Sequence, residues 1–589
     1  MSILGNRVLR IEDPKLLTSG GSYVSDLSLE GAARVTFVRS TMAHARLLAV
    51  EVEEARRAPG VVGVFCASDL GLGPMPPVLP MINQAMGRPP LADGVVRFVG
   101  EPVAAVVTET PEQGEDAAEA VVVDYDPLPA LVDPEAALAS EVVLHEAAGT
   151  NVATELASSA DDSFFDGCEV VVSRRIVNQR LAPCPLEVRG AASRWGPDGR
   201  LTHWTSTQAP HSVRDSLAGL LGVDPASVRV VTPDVGGGFG AKMGVYPEDL
   251  VVAHLARLLG RPLVWVETRS ESMLALGHGR AQVQYASLGG RRDGRLIAYR
   301  LHVVQDAGAY PAMGSILPFI TSTMTTGVYD IERVDFASRS VVTNTTPVVA
   351  YRGAGRPEAT AALERMVDIY AAEVGMDPAE LRRRNLVPPE RFPYTSAAGS
   401  VYDNGDYERA LDLALESAGY RELRAEQAGR RAEGSARQLG VGISTYVEVT
   451  NPVGGSEFAS VEVSEDESVL VRTGTSPHGQ GHDTAWAMLA SEATGIPVEQ
   501  VTVVHGDTDA VRFGQGTMGS RSAQMGGVAV AQAADKLVAE ARQVAAGLLE
   551  ASFEDVVLDR ATGRFHVAGA PAVSRSWAEV ARQAGGLAA

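Results

Sequence analysis

One stretch of the chain combines clustered glycines with a single lysine, a composition that suits a ligand held by main-chain groups. Residues 231–250 read VTPDVGGGFGAKMGVYPEDL, and they lie between an apolar run and a helical pattern that starts near Pro247. Glycine has no side chain to block a close approach to the backbone. The stretch therefore predicts a ligand-binding loop.

Two kinds of nucleotide-binding loop share part of this pattern. Gly236, Gly238 and Ala241 satisfy the dinucleotide fingerprint G-x-G-x-x-A. In a Rossmann fold, however, the helix opens inside the glycine motif, whereas here it starts near Pro247. An NAD-binding Rossmann dehydrogenase therefore stays a minor alternative. A Walker A loop is excluded because no serine or threonine follows Lys242.

Two later loops rich in glycine and hydroxyl groups also precede helical patterns. The first reads TGTSPHGQGHDTAW and the second reads GQGTMGSRSAQ. Their candidate ligand-binding residues are Gly479, Gln480, Gly481, Thr517, Gly519, Ser520 and Ser522. Free N–H groups and hydroxyls at helix starts suit a phosphate, although ordinary helix capping explains each loop taken singly. Together with the first loop, they predict a large phosphate-bearing ligand held between two domains.

Arg352 lies in a fourth candidate loop, VAYRGAGRPE, which consists mostly of small residues. A buried arginine at this position would need an anion or several carbonyl groups around it. A surface ion pair is the alternative. The sequence favours neither interpretation of this arginine.

Composition limits the class of protein. The chain has 589 residues, enough for roughly two to four domains. Its 51 Lys and Arg residues against 73 Asp and Glu residues give a net charge of −22, which argues against nucleic acid and anionic membranes as partners. Cys66, Cys168 and Cys184 are too far apart for a disulfide framework, a zinc site or an iron–sulfur cluster. Because we find no signal peptide and no long apolar run, we expect a cytoplasmic location.

Periodicity and breaker residues divide the chain into units. The expected divisions are an N-terminal arm (1–20), a first unit (21–128), a linker (129–166), a second unit (167–390), a connecting segment (391–436) and a third unit (437–589). The clearest elements are a buried strand at 102–107, a helix at 111–120 and a helix near 361–375. In the third unit, the pattern predicts strands at 440–449 and 459–466 and helices near 483–494 and 526–547.

Six segments, in this order, resemble signatures of the molybdopterin-binding large subunit of the xanthine dehydrogenase, aldehyde oxidase and carbon monoxide dehydrogenase family. They are NQRLAPCPLEVRG, TSTQAP, VGGGFGAK, AYRGAGRPE, HGQGHDT and GTMGSRS. RIEDPKLLTSGGSYVSDL is similar to the arm that opens these subunits, and VRFVGEPVAAVV is similar to part of their hammerhead domain. The resemblance covers almost the whole chain. It implies an α+β fold, in which an N-terminal α/β hammerhead domain precedes two molybdopterin-binding α+β domains, the second incomplete.

The resemblance also implies a molybdopterin-type molybdenum cofactor, expected in its cytosine dinucleotide form. Gln208, Phe239, Arg352 and Gly519 would lie around the molybdenum without coordinating it directly. Phe239 and Gly240 would bring their main-chain N–H groups close to the metal, and neighbouring glycines such as Gly238 would leave room for this approach. Gln480, Gly481, Thr517, Ser520 and Ser522 would bind the pterin and its phosphate tail. The implied reaction is hydroxylation of a C–H carbon with water as the oxygen source.

The positions that line the substrate pocket differ between branches of the family. The carbon monoxide branch has a cysteine where this chain has Gly353. The xanthine branch has a phenylalanine where this chain has Ala354 and a glutamate where it has Met243. Carbon monoxide and purines are therefore not expected as substrates. An aldehyde or an N-heteroaromatic compound remains.

Other polypeptides are implied as partners. Electrons from the cofactor would pass to a [2Fe–2S] small subunit and a flavin (FAD) medium subunit, since no FAD site and no iron–sulfur site are expected on this chain. The glutamate that serves the family as general base lies in a segment beyond Ala589, and Glu101 in VGEP is not taken as its equivalent. The catalytic residue is therefore unknown. A truncated gene product, a separate chain that supplies this segment, and a non-catalytic cofactor-binding subunit stay open as explanations.

Overall fold

The N-terminal arm and the three units pack against one another in the computed structural model, which describes residues 2–452 and 454–589. The arm contains a short helix, Asp13–Thr18. Its apolar residues Ile3, Val8 and Ile11 pack against the core of the third unit. The arm is therefore not extended throughout, and its first half belongs spatially with residues more than 400 positions away in the chain.

The first and second units share one seven-stranded sheet. Its strands, in spatial order, are Val228–Val231, Leu201–Thr205, Gly190–Trp195, Leu263–Val266, Ala33–Arg39, Pro102–Thr108 and Val61–Cys66. Ala33–Arg39 pairs in parallel with Leu263–Val266, so the sheet continues across the two units. Every residue of Pro102–Thr108 is buried, which confirms the buried strand predicted there. The first unit also has a small sheet of Val95–Val96, Ala45–Glu51 and Val122–Pro127.

Helices cover this large sheet where apolar spacing predicts them. Pro111–Glu119 begins with a capping box on Thr110, whose hydroxyl accepts a hydrogen bond from the Gln113 N–H at 3.4 Å. Pro247–Leu259 packs its Val251, Val252 and Leu255 against the strands beneath it. Four further α-helices accompany the seven-stranded sheet. They are Glu53–Arg57, Ala67–Leu70, Pro210–Leu221 and Arg269–Ala275.

A five-stranded sheet forms the rest of the second unit. Its strands, in spatial order, are Val152–Leu156, Arg333–Val342, Leu296–Gly308, Gln282–Gly290 and Val170–Asn178. Helix Arg356–Val374 lays its buried Leu363, Met366, Val367 and Tyr370 across it, as the helical spacing predicts. The other helices here are Pro134–Ala139, Leu317–Thr323 and Pro378–Asn385. Because Pro134–Ala139 and Val152–Leu156 fall within 129–166, that stretch differs from the plain linker expected there.

The third unit has its own sheets and core. One sheet orders Val501–Val504, Val469–Thr473, Ala459–Val463 and Leu587–Ala588, and the other orders Val556–Asp559, Arg564–Val567 and Ala570–Ser576. Helices His482–Thr494, Val528–Leu549 and Trp577–Ala584 pack on them around Trp486, Leu537 and Trp577. The strand and helices predicted from 459 onward are therefore confirmed in place.

Residues 440–449 are not a strand, contrary to the alternation in their sequence. Their main-chain groups bond to side chains of the second unit instead of to another strand. The Arg382 guanidinium donates to the Ile443 carbonyl at 2.8 Å, and the Glu364 carboxylate accepts from the Thr445 N–H at 2.8 Å. An extended chain lying on a protein surface has the same two-residue period as a paired strand, so the pattern alone does not separate the two.

The segment 391–436 connects the second and third units. It contains a two-stranded ribbon, Tyr394–Thr395 with Val401–Tyr402, and two consecutive helices, Tyr407–Ala418 and Tyr420–Ala432. No helix among the residues that the structure describes is long and apolar enough to cross a membrane.

Candidate functional site

A cavity of about 1310 Å³ lies between the second and third units, with the N-terminal arm at its rim. Almost all of the candidate residues from the sequence line it. They are Gln208, Phe239, Gly240, Met243, Arg352, Gly353, Ala354, Gln480, Gly481, Thr517, Gly519, Ser520 and Ser522. Gly238 does not line the cavity but lies directly behind Gln208, because a Cβ atom on Gly238 would be 2.5 Å from the Gln208 side-chain oxygen. The structure thus brings the separate loops together.

Three residues of the loop 236–242 have positive φ angles, and only Phe239 is strained by this, because glycine adopts such angles freely. Gly237, Phe239 and Gly240 have φ angles of 94°, 54° and 91°, all in the left-handed region. A Cβ atom on Gly240 would lie 2.5 Å from the Ala350 carbonyl oxygen. Strained conformations of this kind cluster at ligand-binding sites, where the surrounding structure holds them in place.

Gln208 connects the two walls of the cavity through its buried side-chain amide. Its Nε2 donates to the Thr517 carbonyl of the third unit at 2.9 Å, and its Oε1 accepts from the Gly240 N–H at 2.8 Å. The Gly240 N–H, which was expected to face the metal, is therefore bound within the protein. The Phe239 N–H has no partner among the described residues and stays available.

The Arg352 loop lies against the glycine loop. The Arg352 N–H donates to the Phe239 carbonyl at 2.8 Å, and the Arg352 carbonyl accepts from the Arg280 guanidinium. The Arg352 side chain is exposed at the cavity surface and forms no ion pair within 2–452 and 454–589. Neither of the two alternatives left open by the sequence, a buried arginine or a surface ion pair, describes it.

On the third unit, side-chain capping does not explain the two loops. Helix His482–Thr494 begins after Gly481 and has no capping side chain, and the π-helical turn Ser522–Gly527 has none either. Helix His482–Thr494 starts at the cavity lining, and its first main-chain N–H groups have no side-chain acceptor among the described residues. The Thr517 hydroxyl accepts from the Ser476 N–H at 3.1 Å. The Gln480 side-chain oxygen accepts from the His478 N–H at 2.6 Å.

Two histidines in this wall were missed at the level of sequence. His482 and His505 line the cavity, and the Nδ1 atom of each is buried without a partner among the described residues. Burial lowers the pKa of His482 to about 4, and the nearby His478 and His505 act in the same direction. His482 is therefore neutral at pH 7. His482 stands in HGQGHD and His505 in VVHGD, but scattered histidines are more often structural than functional, so the pattern gave no reason to select them.

A second missed pair supports the glycine loop from behind. The Lys242 ammonium, fully buried, lies 2.7 Å from the Glu187 carboxylate. Burial lowers the pKa of Lys242, against the opposing effect of the Glu187 charge. Farther below, buried Arg189 lies 3.1 Å from Glu248, and Glu248 lies 2.8 Å from Arg39 of the first unit. Burial alone would raise the pKa of Glu248, but these two guanidinium groups hold it well below its usual range.

Glu101 lies outside the cavity. Its carboxylate is buried and accepts hydrogen bonds from the Tyr310 hydroxyl and the Arg97 N–H, both at 2.6 Å. It joins the first unit to Tyr310 of the second unit.

Comparison with known proteins identifies the architecture. A profile of the molybdopterin cofactor-binding domain matches residues 144–386, and a second profile of the same description matches residues 413–589. The profile of the aldehyde oxidase and xanthine dehydrogenase a/b hammerhead domain matches residues 18–129. The carbon monoxide dehydrogenase large chain of Hydrogenophaga pseudoflava is 36% identical, over 97% of this chain and 75% of that protein.

The chain belongs to the aldehyde oxidase and xanthine dehydrogenase family of molybdenum hydroxylases. Within this family, the nicotine 6-hydroxylase large subunit of Paenarthrobacter nicotinovorans is 35% identical, over 95% of this chain and 70% of that protein. The crystal structure of quinoline 2-oxidoreductase from Pseudomonas putida 86 superposes with a TM-score of 0.91 and 35% identity, covering 98% of this chain and 75% of that one. The expected fold, a hammerhead domain followed by two molybdopterin-binding domains, is confirmed. The Rossmann alternative is not supported, since the helix after the glycines starts at Pro247.

The cavity fits the molybdenum cofactor of this family. On the side of the second unit, Gly236, Gly237 and Gly240 line the cavity with main chain that carries no side chain, which leaves room for a bulky group. On the opposite side, a helix N-terminus without a capping side chain and two unpartnered histidine nitrogens offer hydrogen bonds to an anion.

Proposed function

We propose that this chain is the large subunit of a hydroxylase that oxidises an aldehyde or an N-heteroaromatic compound, with water as the oxygen source. The observation that supports the proposal is the single cavity in which the loops of two domains meet. The bound cofactor would supply the two-electron oxidation and the activation of water. The protein would supply orientation, hydrogen bonds and exclusion of bulk solvent.

The main-chain wall would position the metal end of the cofactor. The free Phe239 N–H and the second N–H of Gln208 Nε2 are the donors on this wall, and the exposed guanidinium of Arg352 adds a positive charge. Gly519 completes this end from the third unit, with a φ angle of 60° that favours glycine. None of these groups coordinates the metal in our proposal. They act through hydrogen bonds and shape.

The opposite wall would hold the pterin and its tail. Gln480, Gly481, Thr517, Ser520 and Ser522 line this part of the cavity, next to the N-terminus of helix His482–Thr494. The cavity volume of 1310 Å³ exceeds the range of about 300–1,000 Å³ that suits a drug-sized ligand. A cofactor with a second nucleotide would use this extra volume, which supports the dinucleotide form. We propose the cytosine form.

The substrate end of the cavity is apolar. Met243, Gly353 and Ala354 lie there with Leu186 and Ile320. Met243 offers no carboxylate to bind a purine, and Gly353 offers no thiolate. An uncharged planar ring or an aldehyde with an apolar substituent would therefore bind by contact with these side chains.

Electrons would leave through partner subunits. We propose a [2Fe–2S] small subunit and an FAD-binding medium subunit, as the relatives named large chain or large subunit imply. The general base of the reaction is not assigned to any residue described here.

Cofactor analysis of the chain produced together with these partners tests the proposal. We expect about one molybdenum per chain and release of cytidine monophosphate on acid hydrolysis. Quinoline or benzaldehyde should reduce an artificial electron acceptor, and xanthine should not. Absence of molybdenum from the purified complex would refute the cofactor assignment. Release of a different nucleotide would refute the cytosine form alone, and turnover of xanthine would refute the substrate class alone.

A further inference from the structure

We propose that Glu187 is a positioning residue, whose carboxylate fixes both ends of the glycine loop 236–242 and thereby aims its main chain into the cavity. The Glu187 Oε2 atom accepts from the Gly236 N–H at 2.8 Å and from the Lys242 ammonium at 2.7 Å. These two donors are the first and last residues of the loop. One oxygen atom therefore closes the loop into a ring.

The backbone of Glu187 strengthens the same contact. Its N–H donates to the Gly236 carbonyl at 3.0 Å, so that Gly236 is bound through both its N–H and its carbonyl. The approach is close enough to require glycine, because a Cβ atom on Gly236 would lie 2.5 Å from the Glu187 Cβ. The loop cannot shift along Glu187 without breaking both bonds.

The other end of the loop links Glu187 to Gln208. The Lys242 carbonyl accepts from the Gln208 N–H at 2.9 Å and from the Thr207 hydroxyl at 3.2 Å. Gln208 in turn accepts from the Gly240 N–H and donates to Thr517 across the cavity. A displacement of Lys242 is thus passed to both the glycine loop and the amide that joins the two domains.

The charges make this arrangement sensitive to the loss of one partner. The Lys242 side chain is 0% exposed and the Glu187 side chain is 12% exposed. A buried ammonium that loses its carboxylate is unpaired in a region of low dielectric and strongly disfavoured. The positive φ of Phe239, 54°, is unfavourable for a residue with a side chain and is held by its surroundings, so a loosened loop would leave it.

Amide hydrogen exchange of the cofactor-free protein tests the proposal directly. In Glu187→Gln, we expect exchange within residues 236–243 to become at least about tenfold faster, because a neutral amide does not balance the buried charge of Lys242. The matched control is Glu364→Gln, which removes another buried carboxylate, bonded at 3.0 Å to Arg382, far from this loop. The control should lower the melting temperature and leave exchange in 236–243 unchanged. Unchanged exchange in Glu187→Gln would overturn the proposal.

A double variant separates positioning from general stability. Glu187→Gln with Lys242→Met removes both buried charges, so the melting temperature should recover relative to Glu187→Gln alone. Loop exchange should stay fast, because methionine forms no bond to residue 187. Recovery of slow exchange together with the melting temperature would show a merely structural role and refute the proposal.

The effect on cofactor loading depends on the proposed function, whereas loop exchange in the cofactor-free protein does not. In the complex, Glu187→Gln should reduce the molybdenum content and lower the turnover per bound molybdenum by about 10–100-fold, as expected for a misplacement of about 1 Å. Fast loop exchange with unchanged turnover per molybdenum would refute the positioning role. Absence of molybdenum from the wild-type complex would refute the proposed function and leave the exchange result valid.

Discussion

The two walls of the cavity differ in how completely their polar groups are satisfied. On the wall of the first cofactor domain, the Gly240 N–H binds Gln208, the Arg352 N–H binds Phe239, and the Lys242 ammonium binds Glu187. On the wall of the second domain, His482 and His505 each have a buried ring nitrogen without a partner among the described residues. Burying an unsatisfied polar group costs about 1–3 kcal/mol. Apart from the Phe239 N–H and the Arg352 side chain, we therefore expect the first wall to be formed before the ligand binds and the second to be completed by the ligand.

Because of this difference, we expect substitutions in the two walls to affect stability and cofactor binding differently. Substitutions in the first wall should change both the stability of the cofactor-free protein and its capacity to bind the cofactor. Substitutions in the second wall should change binding alone. The following predictions test this distinction, from the largest expected effect to the smallest.

Gly240→Ala should have the largest effect. The new Cβ would lie 2.5 Å from the Ala350 carbonyl, and residue 240 has a φ angle of 91°. We expect a loss of molybdenum content of at least about tenfold and a destabilisation of about 1–3 kcal/mol from backbone strain. The control is Gly244→Ala, with a φ angle of 74° and no atom within 4 Å of the added Cβ. Equal molybdenum contents in the two variants would show that the close approach at Gly240 has no role.

His482→Leu should weaken cofactor binding by about 10–100-fold, since a hydrogen bond to a charged group contributes about 1.5–3 kcal/mol. The melting temperature of the cofactor-free protein should stay the same or rise, because the orphaned nitrogen is removed. Metal content after gel filtration and thermal unfolding measure the two effects. His145→Leu is the matched control, because the His145 Nε2 bonds to the Ala309 carbonyl at 2.8 Å. It should lower stability without loss of molybdenum, and the reverse pattern would contradict the distinction between the walls.

Acid should destabilise the cofactor-free protein through these two histidines. Burial lowers the pKa of both His145 and His482 from 6.5 to about 4. Between pH 6.5 and 4 the unfolded chain therefore binds more protons than the folded one, so stability is complete above pH 6.5 and falls as the pH is lowered. Urea unfolding at pH 7 and pH 5 should show a loss of about 1–3 kcal/mol per histidine. Either leucine variant should show a smaller loss than wild type, and an identical loss would exclude that histidine as a cause.

Lys15→Ala should have the smallest effect. Lys15 lies 2.8 Å from Asp234 and joins the arm to the rim of the cavity, but its side chain is 56% exposed. Exposed ion pairs contribute about 0–1 kcal/mol, so cofactor release should accelerate by no more than about fivefold. The control is Arg46→Ala, which breaks a similarly exposed pair with Asp126 away from the cavity. Release rates that match between the two variants would show that the arm does not restrain the cofactor.

Local sequence was sufficient to predict those segments whose structure depends mainly on their own residues. The run at 102–107 is apolar throughout and becomes a fully buried strand, and Thr110 with Gln113 forms the predicted start of the next helix. The glycine, serine and arginine loops were also recognisable as ligand-binding loops from the sequence, because a loop with so many small residues is otherwise uncommon. Their meeting in one cavity followed from the family resemblance and not from any single loop.

Contacts between distant residues account for what the sequence did not reveal. Glu187 and Lys242 are 55 positions apart, and neither shows by its type that it faces the other. Residues 440–449 alternate like a strand, yet Glu364 and Arg382 of another domain form hydrogen bonds with their main chain. The role of a residue in each case depends on which surface the chain reaches after folding, and periodicity carries no information about that surface.

The sheet shared by the hammerhead and the first cofactor domain has a practical consequence for dissecting the protein. Ala33–Arg39 completes the edge of Leu263–Val266, so a fragment that begins after the hammerhead would expose an unpaired, apolar strand. Such a fragment should aggregate when produced alone. Genetic constructions that exchange substrate pockets between relatives should therefore transfer the hammerhead and this cofactor domain together.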